Sequence, residues 1–221
     1  MVDDPRELDA TVAGCAEAHQ RLLGNVDDLG DDEVRLPSLL PGWSVGHVLT
    51  HLARNADSHV RMFEGAERGE MLSQYERGAA GRADDIEAGA ARSAAELVAD
   101  LRRSIWRLEQ TWATASATAW EGAGLTIGGE RQPCVDLPFR RWREVEVHHA
   151  DLGLPSFTYD DWSEDYVRRE LRRQLMVWRS RLPMGIGELP EAVTALAPRR
   201  RLAWLLGRHA ATSLPEPGAW G

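Results

Sequence analysis

Arg140 to Gly153 reads RRWREVEVHHADLG, and within it Glu144 and His148 stand four residues apart. A helix turns once in about 3.6 residues, so a carboxylate and an imidazole at this spacing leave one face with Cβ atoms roughly 5 to 6 Å apart. Pro138 ahead of the stretch and Gly153 and Pro155 behind it mark a helix running to about Leu152. Trp142, Val145, His149 and Leu152 form its apolar stripe, and Glu144 and His148 lie at the edge of that stripe. Two groups placed so either make a surface hydrogen-bonded pair or share a metal ion. Sharing an ion requires a third ligand from elsewhere.

The best source is Pro41 to Leu52, PGWSVGHVLTHL. Pro41 and Gly42 make a turn, Ser44 is a good N-cap, and Val48, Leu49, Leu52, Ala56, Val60 and Phe63 recur at helical spacing as far as Gly65. The apolar centre falls near Leu52 and Ala56. His51 sits on its border, His47 lies further round towards solvent, and His59 is closer to the centre, so periodicity alone leaves all three open as ligands. A His, His, Glu set would leave the fourth position of tetrahedral zinc vacant, the pattern of a catalytic site. A di-iron carboxylate bundle needs two Glu-x-x-His motifs, and the chain has one, Glu146 with His149.

Elsewhere the pattern is also helical. Pro5 opens a first helix with Leu8, Val12, Cys15, Leu22 and Val26 on one stripe, and His19 on the same stripe faces inward, either as a core histidine or near a pocket. Gly30 to Pro41 reads as a loop, and Met71 to Arg82, with its glycines, as a linker. A short helix over Asp84 to Ala91 follows. Ser93 and Glu96 form a capping box for a third long helix through Leu97, Leu101, Ile105, Leu108 and Trp112. Thr126 to Arg131, TIGGER, suits a small hairpin. These elements give a bundle over residues 1–154 and a small second domain over 155–221. In that tail we expect a helix from about Ser163 to Arg181, a strand at Ala192 to Ala197 and a short helix from Arg199 to Arg208.

With 221 residues, the chain is long enough to bury a sizeable core. Its net charge of -9 argues against a nucleic-acid partner, which would draw affinity from phosphate neutralisation. All 26 basic residues are arginine, so Lys Schiff-base chemistry is excluded. Cys15 and Cys134 are too few and too far apart for a disulfide framework or a cysteine zinc site. No apolar run reaches the roughly 18 residues of a membrane span, so we expect no membrane partner and a soluble, cytoplasmic protein.

PGWSVGHVLTHLARNA followed by RRWREVEVHHADLG resembles the mycothiol-dependent maleylpyruvate isomerase family. The resemblance implies a mainly α fold, a DinB-like up-down four-helix bundle with a small C-terminal α/β or helical appendage. It implies zinc, or another divalent metal, held by His51, Glu144 and His148, and so selects His51 from the three imidazoles. It also implies mycothiol as thiol cosubstrate and a small electrophile, a carboxylate, as substrate. Trp204 to Arg208, WLLGR, is similar to a segment whose arginine reaches the family's active site, which makes Arg208 a catalytic candidate. The activity implied is cis-trans isomerisation of maleylpyruvate or a similar acid. A mycothiol S-transferase, a non-catalytic metal-binding stress protein and a metal-dependent hydrolase are the alternatives.

Overall fold

The computed structural model describes residues 5–181, 188–210 and 214. The chain divides into two compact units, Met1–Ser156 and Phe157–Gly221. In the first, four long helices α1 (Pro5–Val26), α3 (Val45–Glu67), α5 (Ala94–Thr114) and α7 (Leu137–Asp151) make a bundle. Short helices α2 (Asp31–Val34), α4 (Gly78–Ala90) and α6 (Ala117–Glu121) connect them, with a two-stranded antiparallel sheet, β1 (Ala123–Leu125) and β2 (Arg131–Pro133).

Their ends follow from local chemistry. Ser44 accepts from the His47 backbone N–H to start α3, and Ser93 and Glu96 form the expected capping box of α5. Gly153 takes a positive φ of 72° just past α7, a conformation open to glycine and costly for other residues. Apolar stripes from all four helices meet in a core that includes Leu22, Leu49, Phe63, Leu101, Ile105, Leu108 and Val145. Each such side chain contributes about 1.5 to 3 kcal/mol through burial.

Side-chain bonds give the helix directions. His19 with Arg141, Arg21 with Glu146 and Asn25 with His149 run α1 parallel to α7. Arg54 with Asp100 and Arg107 with Glu64 run α3 parallel to α5. His19 with Glu109 and Asp27 with Arg102 set α1 antiparallel to α5, and His51 with Glu144 and Leu52 with Arg141 set α3 antiparallel to α7. The order of directions is therefore up, down, down, up. Parallel neighbours need a return crossing between them, and α4 provides it between α3 and α5. That requirement overrides the glycine-rich sequence from Met71 to Arg82, read as a linker, whose last residues are the first turns of α4. Likewise α2 interrupts the expected Gly30 to Pro41 loop.

The second unit contains α8 (Glu164–Ser180), α9 (Glu191–Thr194) and α10 (Pro198–Leu205). Val193, Trp204 and Leu205 form its small core with Leu171, Leu175 and Trp178, and the Trp178 and Trp204 rings lie 5.4 Å apart. The strand expected at Ala192 to Ala197 is not there. Pro190 caps a helical turn instead, because an isolated apolar run without a partner strand has no ladder to join. Among the described residues no helix is long and apolar enough to cross a membrane.

Candidate functional site

One face of α3 meets one face of α7 at His51, Glu144 and His148, whose donor atoms all lie within 4.8 Å of one another. His51 Nε2 is 3.0 Å and His148 Nε2 3.5 Å from the same Glu144 oxygen, Oε2. The imidazole rings stand edge to face with centroids 4.7 Å apart. His51 and His148 are buried and Glu144 is partly exposed, so the set opens to solvent on the carboxylate side.

Trp43, delivered by the Pro41–Gly42 turn, packs its ring 5.6 Å from that of His51. Asp151, one turn beyond His148, holds His148 Nδ1 at 2.9 Å. A carboxylate on the far ring nitrogen is the usual outer partner of a metal-bound histidine, because it fixes the tautomer and turns the other nitrogen towards the ion. Arg82 on α4 places Nη2 3.1 Å from His51 Nδ1. A guanidinium only donates, so this Nδ1 accepts and His51 Nε2 carries the proton directed at Glu144.

The protons are shared unequally. Burial pushes His51 down to about 4, against the pull of its bond to Glu144. Burial would lower His148 too, but bonds to Asp151 and Glu144 outweigh it and raise this imidazole to about 9. Burial also opposes charge on Glu144, yet its bonds to His148 and His51 hold the carboxyl well below the usual range. At neutral pH the set is one carboxylate, one imidazolium and one neutral imidazole. Two imidazoles and a carboxylate on two rigid helices match the donor number and type of an open divalent site.

His47, His149 and His19 are engaged elsewhere, while His59 is buried beyond the set with its Nδ1 unpartnered. His47 closes the cap of α3, its Nδ1 3.1 Å from the Ser44 backbone nitrogen, and its Nε2 meets Glu87 at 3.2 Å. His149 bonds Asn25, and Glu146 takes Arg21 and the Trp142 indole, so neither member of the Glu-x-x-His pair joins the set. His19 is a core histidine between Glu109 and Arg141. Arg208 follows Gly207 at the end of α10 in the second unit, where its Nη1 donates to the Leu206 carbonyl at 2.8 Å. Sequence reasoning passed over Asp151, although it lies in the quoted motif three residues after His148, and Arg82, which stood in a supposed linker.

A family model, the mycothiol maleylpyruvate isomerase N-terminal domain, matches residues 15–153. A search of curated proteins finds no match. The crystal structure of the mycothiol-dependent maleylpyruvate isomerase is similar over 99% of this chain and 98% of that chain, with a TM-score of 0.84 and 24% identity. A mutant of that isomerase gives the same values. YfiT from Bacillus subtilis, a probable metal-dependent hydrolase with an unusual four-helix bundle topology, is similar over 76% of this chain and 89% of that chain, with a TM-score of 0.55 and 15% identity. These likenesses establish the fold, a mainly α, DinB-like four-helix bundle with a small C-terminal appendage. The helices that carry His51, Glu144 and His148 both fall within the matched residues, and the chain belongs to the family of the mycothiol maleylpyruvate isomerase N-terminal domain.

Proposed function

We propose that this protein is a metal-dependent enzyme that uses mycothiol to isomerise maleylpyruvate or a similar cis-unsaturated acid. The convergence of His51, Glu144 and His148 in a member of this family carries the reading. A divalent ion such as zinc at this set would lower the pKa of an incoming thiol, so that it ionises near neutral pH. His51, Glu144 and His148 would hold such an ion, with His148 losing its second ring proton and the His51 proton moving to the far nitrogen. Asp151 keeps the His148 ring turned inward. Trp43 packs beside His51.

The thiolate sulfur then forms a bond to one alkene carbon, and the alkene electron pair moves into the conjugated carbonyl as an enolate. The former double bond is now single and rotates. Return of the enolate pair re-forms the double bond, breaks the C–S bond and releases the thiolate, so the thiol is not consumed. We assign Arg208 the substrate carboxylate and the developing enolate, on the likeness of its Trp204 to Arg208 segment to the family's, since a planar guanidinium suits both.

Metal content measured beside turnover of maleylpyruvate, with and without mycothiol, tests this reading. Turnover that requires both the metal and mycothiol supports it. Adduct that leaves without isomerisation selects an S-transferase, hydrolysis without thiol selects the hydrolase chemistry named for YfiT, and metal binding with no turnover selects a non-catalytic protein.

A further inference from the structure

The segment before α4 and the first turns of that helix bring two side chains to the outer edge of His51. Arg82 places Nη2 3.1 Å from His51 Nδ1, and its guanidinium carbon lies 5.8 Å from the centre of the Tyr75 ring. The other nitrogen of the same imidazole, Nε2, faces Glu144 at 3.0 Å, so a guanidinium stands one ring-width from the ligand set. Arg82 and Tyr75 are both half-buried, and the set itself opens to solvent at Glu144.

Among the described residues no carboxylate pairs with Arg82. The three acids of its own helix are spent elsewhere: Asp84 and Asp85 lie 3.6 and 2.6 Å from Arg77, and Glu87 lies 3.2 Å from His47. Glu144 is engaged by His51 and His148. Tyr75 offers Arg82 a ring face and a hydroxyl but no countercharge, because burial pushes its phenol up and keeps it neutral. A divalent ion together with Glu144 would carry one net positive charge, which a thiolate neutralises. The charge of Arg82 is a second one, with no counterpart in the protein. Its bond to His51 also depends on Nδ1 being an acceptor. A histidine that binds metal through Nε2 has its proton on Nδ1, which leaves the guanidinium without that acceptor and its planar fork of donors open to an outside anion.

We propose that Arg82 is a carboxylate-binding residue of the same centre, which takes one carboxylate of a small unsaturated acid while its double bond lies towards His51, Glu144 and His148. The guanidinium fork matches a planar carboxylate through two parallel hydrogen bonds. The assignment rests on the isomerase reading for the identity of the acid, but not for the binding itself.

The probe is maleate, titrated calorimetrically into the zinc-saturated full chain, with zinc and helical content measured in every variant. Wild type binds maleate. Arg82→Gln keeps a hydrogen-bonding group but removes the charge, and it weakens maleate about tenfold or more, the scale of losing a hydrogen bond to a charged group, at unchanged zinc and helical content. Arg82→Lys recovers part of that loss, since it restores the charge without the fork. Wild type that fails to bind maleate, Arg82→Gln that binds it as wild type does, or Arg82→Lys that binds it no better than Arg82→Gln would overturn the assignment. Arg82→Gln that takes up no zinc would overturn it too, because Arg82 would then be a support of the metal set. The titration needs neither mycothiol nor turnover, so its failure removes Arg82 alone, whereas absent mycothiol-dependent turnover with this binding pattern intact would sink the isomerase reading alone.

Discussion

His148 and Asp151 are joined within one turn of α7, Nδ1 to Oδ2 at 2.9 Å, and both are buried. The bond decides which nitrogen of His148 faces Glu144 and His51. Asp151 is anchored in turn, since its backbone carbonyl accepts from the Leu39 N–H at 2.9 Å. The loop before α3 and the end of α7 thus hold each other in place behind the ligand set.

Asp151→Ala should lower metal affinity about 10- to 100-fold, the usual loss when a ligand's outer carboxylate is removed. Chelator competition measures it, with far-UV circular dichroism to confirm the retained bundle. Unchanged affinity would mean that His148 needs no such support.

Arg82 works in the opposite sense. A histidine that binds metal through Nε2 carries its proton on Nδ1, where Arg82 now presents a donor at 3.1 Å. Replacing it by Arg82→Gln offers an amide oxygen to that proton, and the same competition assay should show tighter metal binding. Weaker binding in this variant would show that the guanidinium supports the site.

Arg141 on α7 ties this helix to α3 and α1 from within, bonding the Leu52 carbonyl, Asn55 Oδ1 and His19 Nε2. Arg141→Met leaves Asn55 Oδ1 buried and without this donor and His19 Nε2 with only the weak Cys15 thiol contact at 3.9 Å, so we expect a loss of about 2 kcal/mol or more in denaturant unfolding. A midpoint equal to wild type would contradict this bridging role.

Stability should fall in acid. Burial pushes His19 down to about 4 and His59 down to about 3, from an unfolded value near 6.5. Below that value the unfolded chain binds more protons than the folded one, so the stability contributed by these neutral imidazoles is present above about pH 6.5 and is lost as pH falls towards 4 and 3. Urea midpoints between pH 7 and 4 follow it, and His59→Phe should flatten the decline. An equally steep decline in that variant would remove His59 from the account.

Much of this was readable from residue spacing, and what escaped did so for physical reasons. The Ser44 cap, the Ser93–Glu96 box and the glycine stop at Gly153 each announce a helix end through local bonds, and the structure places them as expected. The later part of α4 is the short helix expected from Asp84, but its start at Gly78 escaped, because Gly78 to Arg82 has little apolar pattern; the helix packs against α3, where Gly89 sits so close to Thr50 that a Cβ would collide. At the site, the four-residue step from Glu144 to His148 was visible. The choice of His51 over His47 and His59 was not, because it depends on His47 being spent in the α3 cap and His59 lying a turn deeper than the carboxylate. Arg82 escaped with the first turn of α4, since only the folded helix brings it to His51.

The most direct test is metal stoichiometry by elemental analysis of wild type, His51→Ala and His148→Ala, each checked for helical content. We predict about one divalent ion per chain in the wild type and almost none in either variant, with the bundle intact. A full equivalent retained by both variants would contradict a centre built from these side chains.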